Sequence, residues 1–151
     1  MKRDYPNRPI VGILAVVRRG DRFLLVRRGR PPNQGRWGFP GGVQELGESI
    51  VEAALRELAE ETSIAASAPG ILTALDAIDR DEAGAVRYHY TLVAVALTWG
   101  AGEGEAGDDA DALGWFGPDE LDDLPVLPAV RTLMLQALEA GAGHAEPASL
   151  T

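Results

Sequence analysis

The chain has no cysteine in its 151 residues, which excludes disulfides, thiolate metal sites and cysteine nucleophiles. It also lacks an apolar run long enough to cross a bilayer. Residues 92–99 come nearest and fall far short of the roughly 20 residues a spanning helix needs. Residues 10–17 follow a basic start and faintly imitate a signal peptide. That run ends in Arg18-Arg19-Gly20-Asp21-Arg22 with no small-residue cleavage site, so it reads as a buried strand. Positive charge is in deficit: 14 Lys and Arg stand against 23 Asp and Glu, for a net charge of −9. A chain so acidic is a poor general binder of nucleic acid, which needs a basic surface. A soluble, cytoplasmic protein with neither nucleic acid nor membrane as partner is expected. A homodimer is compatible with this reading.

The basic charge that exists is concentrated. Seven of the 14 basic residues (Arg18, Arg19, Arg22, Arg27, Arg28, Arg30, Arg36) lie in residues 18–36, where Asp21 is the lone acid. An anionic ligand therefore has somewhere to bind. Residues 101–123 are the reverse, with nine acids and no base.

The length suits one domain, expected over residues 1–140, with residues 141–151 a disordered tail. Residues 10–18 and 22–28 read as a hairpin around Arg19-Gly20-Asp21, and residues 30–35 as a loop. A short strand at 37–39 leads to a tight Phe39-Pro40-Gly41-Gly42 turn, where the two glycines offer positive φ and no Cβ to block a ligand. A helix is expected over 47–62 and central strands over 71–79 and 86–99. A mobile loop follows at 99–107, then a last strand at 113–116, a helical turn at 118–121 and a closing helix at 129–140. Strands broken by one helix and closed by another give an α/β layered domain.

Chemistry concentrates in residues 42–64, GVQELGESIVEAALRELAEETSI. At about 100° of rotation per residue, Glu57, Glu60 and Glu61 fall on one helix face, and Val51, Leu55, Leu58 and Thr62 on roughly the opposite one. Like charges at these spacings destabilise an isolated helix by a few tenths of a kcal/mol per pair. A divalent cation would offset that repulsion. Mg²⁺ takes hard oxygen ligands and commonly binds one or two carboxylates together with substrate phosphates. The Gly41 carbonyl is placed to face such a metal. Glu48, in the first helical turn, suits the helix dipole. Arg56, beside Glu57, is placed to hold a neighbouring carboxylate through both arms of its fork. Taken alone, a helix reading LRELAEE is an ordinary solvated face; Gly41-Gly42 and Glu48 at their offsets turn the reading toward a metal site.

The spacing of Gly42, Glu48, Arg56-Glu57, Glu60-Glu61 and Ile64 resembles the box of the Nudix (MutT-like) hydrolases, with Ser63 where the family pattern has glycine. A serine there is expected to strain the helix end, which often takes a left-handed residue. The resemblance implies an α/β/α sandwich around a mixed sheet. It also implies Mg²⁺-dependent hydrolysis of a pyrophosphate bond, with Mn²⁺ as a substitute and a small nucleotide as substrate. Gly41, Glu48, Glu57, Glu60 and Glu61 are the implied metal-site residues, Glu48 through a water, with Arg56 as support.

The general base differs between members of that family. Asp109 and Asp111 in the acidic segment are candidates, Glu60 is another, and a solvated loop acid is the plainer reading of the first two. Arg27 and Arg28, leaving the second strand near the glycine turn, are candidate phosphate clamps or solvated strand ends. Tyr88 offers a ring for a nucleobase, though packing on a half-buried sheet explains it as well. Trp37 and Trp115 read as core. No SQPWPFP-like array of the NADH pyrophosphatases is present, and Pro69 comes too soon for the ADP-ribose type. The expected substrate is ADP-ribose or a related nucleoside diphosphate derivative. A nucleoside triphosphate pyrophosphohydrolase is the second reading and a nucleotide sensor without turnover the third.

Overall fold

The computed structural model describes residues 2–107 and 109–141. Strands β1 (Ile10–Arg19) and β2 (Arg22–Arg28) form the expected hairpin. Its turn is Gly20-Asp21, and Gly20 takes the positive φ of 67° that a two-residue reversal demands. After them come β3 (Trp37–Gly38), β4 (Gly41–Val43), α1 (Ile50–Thr62), β5 (Ala65–Arg80), β6 (Val86–Ala101) and β7 (Ala110–Phe116). A 3₁₀ turn at Pro118–Glu120 leads to α2 (Val130–Ala140). Of the tail expected over 141–151, all but Gly141 lies outside the described residues.

The seven strands make one mixed sheet in the order β3-β2-β1-β6-β5, with β4 added to β1 and β7 to β2. β1 and β6 run parallel and the other pairs antiparallel. Alternate side chains of β1 serve two cores. Ile13, Ala15 and Val17 pack with Ala53, Ala54 and Leu58 of α1, while Val16 packs with Leu133, Met134 and Ala137 of α2. Burial on both faces is why β1 and β6 read as nearly unbroken apolar runs. The result is the expected α/β/α layering. Among the described residues no helix is long and apolar enough to cross a membrane.

Several boundaries differ from the sequence expectation. α1 begins at Ile50 rather than at residue 47, because Ser49 caps it: the Ser49 hydroxyl accepts from the Glu52 N–H and the Glu52 carboxylate accepts from the Ser49 N–H, both at 3.0 Å. Glu48 therefore precedes the helix instead of occupying its first turn. At the other end Ser63 is left-handed (φ 59°, ψ 21°) and its N–H donates to the Ala59 carbonyl, so the strain expected of a serine there is present.

β5 starts six residues earlier than expected, and it contains Pro69. Its register with β6 jumps from Ser67 to Gly70, which leaves Ala68 and Pro69 out of the pairing. The strand also lies on the sheet edge, where a missing N–H is tolerated. The acidic segment expected as a mobile loop over 99–107 is tied down instead. β6 continues to Ala101, and the Glu105 and Gly107 N–H groups donate to the Thr62 and Glu61 carbonyls, each at 2.8 Å.

Candidate active site

The double glycine does not form the expected positive-φ turn. Gly41 and Gly42 lie on β4, paired with Leu14 and Ile13 of β1, and neither has positive φ. What demands glycine here is proximity. A Cβ at Gly42 would collide with the Glu57 carboxylate, and one at Gly41 with the Ile13 carbonyl oxygen. The absent side chains let α1 sit close enough to β4 to bring Glu57 and Glu61 onto the strand.

That closeness corrects the sorting of the helix faces. Ala53, Ala54, Leu58 and Thr62 are the buried positions of α1, whereas Leu55 is exposed and Val51 half-exposed. Glu57 and Glu61, one turn apart, are half-buried on the flank beside β4. They are close enough to share a hydrogen bond, and the Glu61 carboxyl is pushed up to about 8. Burial is the main cause and the Glu57 charge the second; the Gly41 backbone amide and Arg28 oppose them.

Arg56 contacts the other two box acids and Glu57 as well. Its Nε and Nη2 donate to both oxygens of Glu48 (2.6 and 3.0 Å), and Nη2 also reaches the Val43 carbonyl at 3.1 Å. Its Nη1 donates to Glu57 Oε1 at 2.7 Å and to Glu60 Oε2 at 3.3 Å. The bidentate fork thus grips Glu48, not the adjacent Glu57, and a single contact orients Glu57. Glu48 also accepts from the Glu45 N–H at 3.0 Å. The Arg56 guanidinium, then that backbone N–H, hold its carboxyl below the usual carboxylate range.

Among the described residues, no three carboxylate, imidazole or thiol groups converge as a ready metal cluster. The expected set of Glu48, Glu57, Glu60 and Glu61 therefore divides. Glu57 and Glu61 meet beside Gly41, while Glu60, on the solvent side, and Glu48 are turned to Arg56. The donors that meet suit a hard divalent cation that keeps several waters and needs only one or two carboxylates. A half-buried Glu61 beside the charge of Glu57 is a place where such a cation is welcome.

Glu61 opens onto a small cleft of about 50 Å³, lined also by Arg28, Gly38, Phe39, Gly41, Asp109, Ala110 and Leu127. Of the two clamp candidates, Arg28 lines this cleft and donates from Nε to the Pro32 carbonyl at 2.8 Å. Arg27 is instead paired with Asp111 at 2.6 Å. Asp111, expected in a loop, lies within β7 beside Arg27, since Ala112 is the cross-strand partner of Arg27. Asp109 lines the cleft and pairs with the exposed Arg30 at 3.0 Å.

Tyr88 is not a cleft residue. It sits near the β5–β6 hairpin end opposite Asp79, with the Arg87 guanidinium 5.3 Å from its ring. The parallel register sets Ile10 beside Tyr90, so Tyr88 lies beyond the start of β1. Trp37 and Trp115 pack against the cores as expected. Phe39 and Leu127 line the cleft without having been recognised in the sequence. Leu127 arrives through the Trp37–Val126 bridge, and no local pattern announces that contact.

The chain matches the family model described as the NUDIX domain over residues 6–137. It is 33% identical over 119 residues to an ADP-ribose pyrophosphatase of Methanocaldococcus jannaschii, covering 79% of this chain and 66% of that protein, just under two thirds of its length. It is 35% identical over 123 residues to a putative 8-oxo-dGTP diphosphatase 2 of Mycobacterium tuberculosis, covering 79% and 81% of the two chains. Among solved structures, a MutT NUDIX hydrolase from Burkholderia pseudomallei superposes with a TM-score of 0.76 at 33% identity, over 86% of this chain and 98% of that one. Family model, relatives and fold agree, and the chain belongs to the Nudix hydrolases.

Proposed function

We propose that residues 1–140 act as one catalytic domain that hydrolyses the pyrophosphate bond of ADP-ribose or a related nucleoside diphosphate derivative. Mg²⁺, replaceable by Mn²⁺, would be held by Glu57 and Glu61, with the Gly41 carbonyl as a further oxygen donor. The observation that carries this reading is the half-buried Glu61, which lies against Glu57 and opens onto the cleft that Arg28 also lines. When bound, the metal neutralises phosphoryl charge and lowers the pKa of a water.

The side chains supply the rest. Arg28 binds a phosphate oxygen from the cleft wall and orients the chain of phosphates. Arg56 fixes Glu57 by its single contact and holds Glu48 and Glu60 on the same guanidinium. Asp109, in the cleft, accepts a proton from the attacking water, with Glu60 the remaining candidate. Asp111 is set aside in favour of Asp109 because Asp109 lines the cleft and Asp111 does not. Attack forms a new phosphorus–oxygen bond, breaks the anhydride and releases a nucleoside monophosphate and a sugar phosphate.

The relation to an ADP-ribose pyrophosphatase supports this substrate class. A triphosphate pyrophosphohydrolase is the second reading, favoured by the relative of which the chain covers 81%. Chromatography of products from a nucleotide panel with Mg²⁺ or Mn²⁺ separates the two. AMP and ribose phosphate from ADP-ribose meet the first; a monophosphate and pyrophosphate from a triphosphate meet the second. Nucleotide binding with no product at any metal concentration would refute both.

A further inference from the structure

The segment between β6 and β7 is tied to the site at two points where backbone passes close to backbone. At α1, the Glu105 and Gly107 N–H groups satisfy the Thr62 and Glu61 carbonyls at 2.8 Å each. Those carbonyls belong to the last helical turn and have no partner within the helix. A Cβ on Gly107 would stand 3.0 Å from the Glu60 carbonyl oxygen and 3.8 Å from that of Glu61. At β2, the Gly29 N–H donates to the Asp109 carbonyl at 2.6 Å, and a Cβ on Gly29 would stand 2.9 Å from that oxygen. Gly29 follows Arg28 directly.

We propose that these backbone ties form a strap across the site, in which Gly107 is a positioning residue for Glu61 and Gly29 a positioning residue for Arg28. The strap has something to resist. Ser63 puts left-handed strain where α1 ends, directly after Glu61 and Thr62. A last turn whose carbonyls lacked partners would relieve that strain by unwinding, and the Glu61 side chain would leave β4. Gly107 and Glu105 hold those carbonyls while Asp109 anchors the same segment to the strand that carries Arg28. The metal side and the phosphate side of the site therefore share one backbone support. The inference rests on the roles assigned above to Glu61 and Arg28.

The test uses the full chain with Gly107→Ala and Gly29→Ala, and Mn²⁺ as the probe. Calorimetry without nucleotide is expected to show Mn²⁺ affinity reduced about 10–100-fold in Gly107→Ala, with kcat recovering at saturating Mn²⁺ and KM unchanged. Gly29→Ala is expected to keep wild-type Mn²⁺ affinity and to raise KM. Amide exchange on the wild-type protein supplies a readout that needs no variant: Mg²⁺ is expected to slow exchange of the Gly107 N–H, since coupling between two sites is reciprocal. Wild-type Mn²⁺ affinity in Gly107→Ala, even with a lowered melting temperature, would overturn the inference alone. So would a Gly107 amide indifferent to Mg²⁺ in a wild-type protein that binds it. Failure of the wild-type protein to take up Mn²⁺ would instead remove the functional reading and the strap with it.

Discussion

At the scale of single residues the candidate site turns on Glu57 and on Glu61, whose carboxyl is pushed up by burial and by the Glu57 charge. Glu57→Gln or Glu61→Gln is expected to reduce kcat by about 10²–10³-fold at fixed Mg²⁺, with the circular dichroism spectrum unchanged; wild-type turnover in both would remove them from the site. The raised carboxyl of Glu61 also has a signature in stability. In the folded protein it keeps its proton up to about 8, against 4.5 for an ordinary glutamate. The folded state binds the extra proton between those values, so the stability it contributes is complete below pH 4.5 and is lost as pH rises toward 8. Thermal melts of the metal-free protein should therefore fall across that window, and Glu61→Gln should flatten the slope. The motif spacing singled out Glu57, Glu61 and Arg56 as candidates. It could not show that the Arg56 fork grips Glu48, because that contact depends on where the loop before Ser49 returns.

At the scale of elements, α1 has one well-made end and one strained end. Removing the cap with Ser49→Ala is expected to cost about 1 kcal/mol. Ser63→Gly is expected to gain about 0.5–1 kcal/mol by relieving the left-handed residue. Urea unfolding of both variants measures these opposite shifts, and a destabilised Ser63→Gly would contradict the strain argument. The Ser49–Glu52 capping box was present in the sequence, yet the helix start was placed at Gly47 because Glu48 suits a helix N-terminus equally well. β5, expected from residue 71, starts at Ala65. Pro69 signals a break locally, and only the sheet edge and the register jump make it tolerable.

For the whole molecule, metal binding should register as folding stability. At pH 8, Mg²⁺ at about 100 times its dissociation constant is expected to raise the melting temperature by roughly 5–10 °C. Glu57→Gln should lose most of that rise; an equal rise in that variant would place the metal elsewhere. By itself the sequence determined the hairpin, the two helices, the layered class and the acids that are candidates for the metal side, because periodicity, caps and motif spacing are written within a few residues of one another. The tertiary structure decided which acids meet, that Arg28 and not Arg27 faces the cleft, that Asp109 and not Asp111 lines it and that Tyr88 is remote. Each of those outcomes depends on strand register or on the close approach of segments tens of residues apart. A glutamate beside a glycine strand is a different chemical group from one beside an arginine, and only packing determines which neighbour each receives.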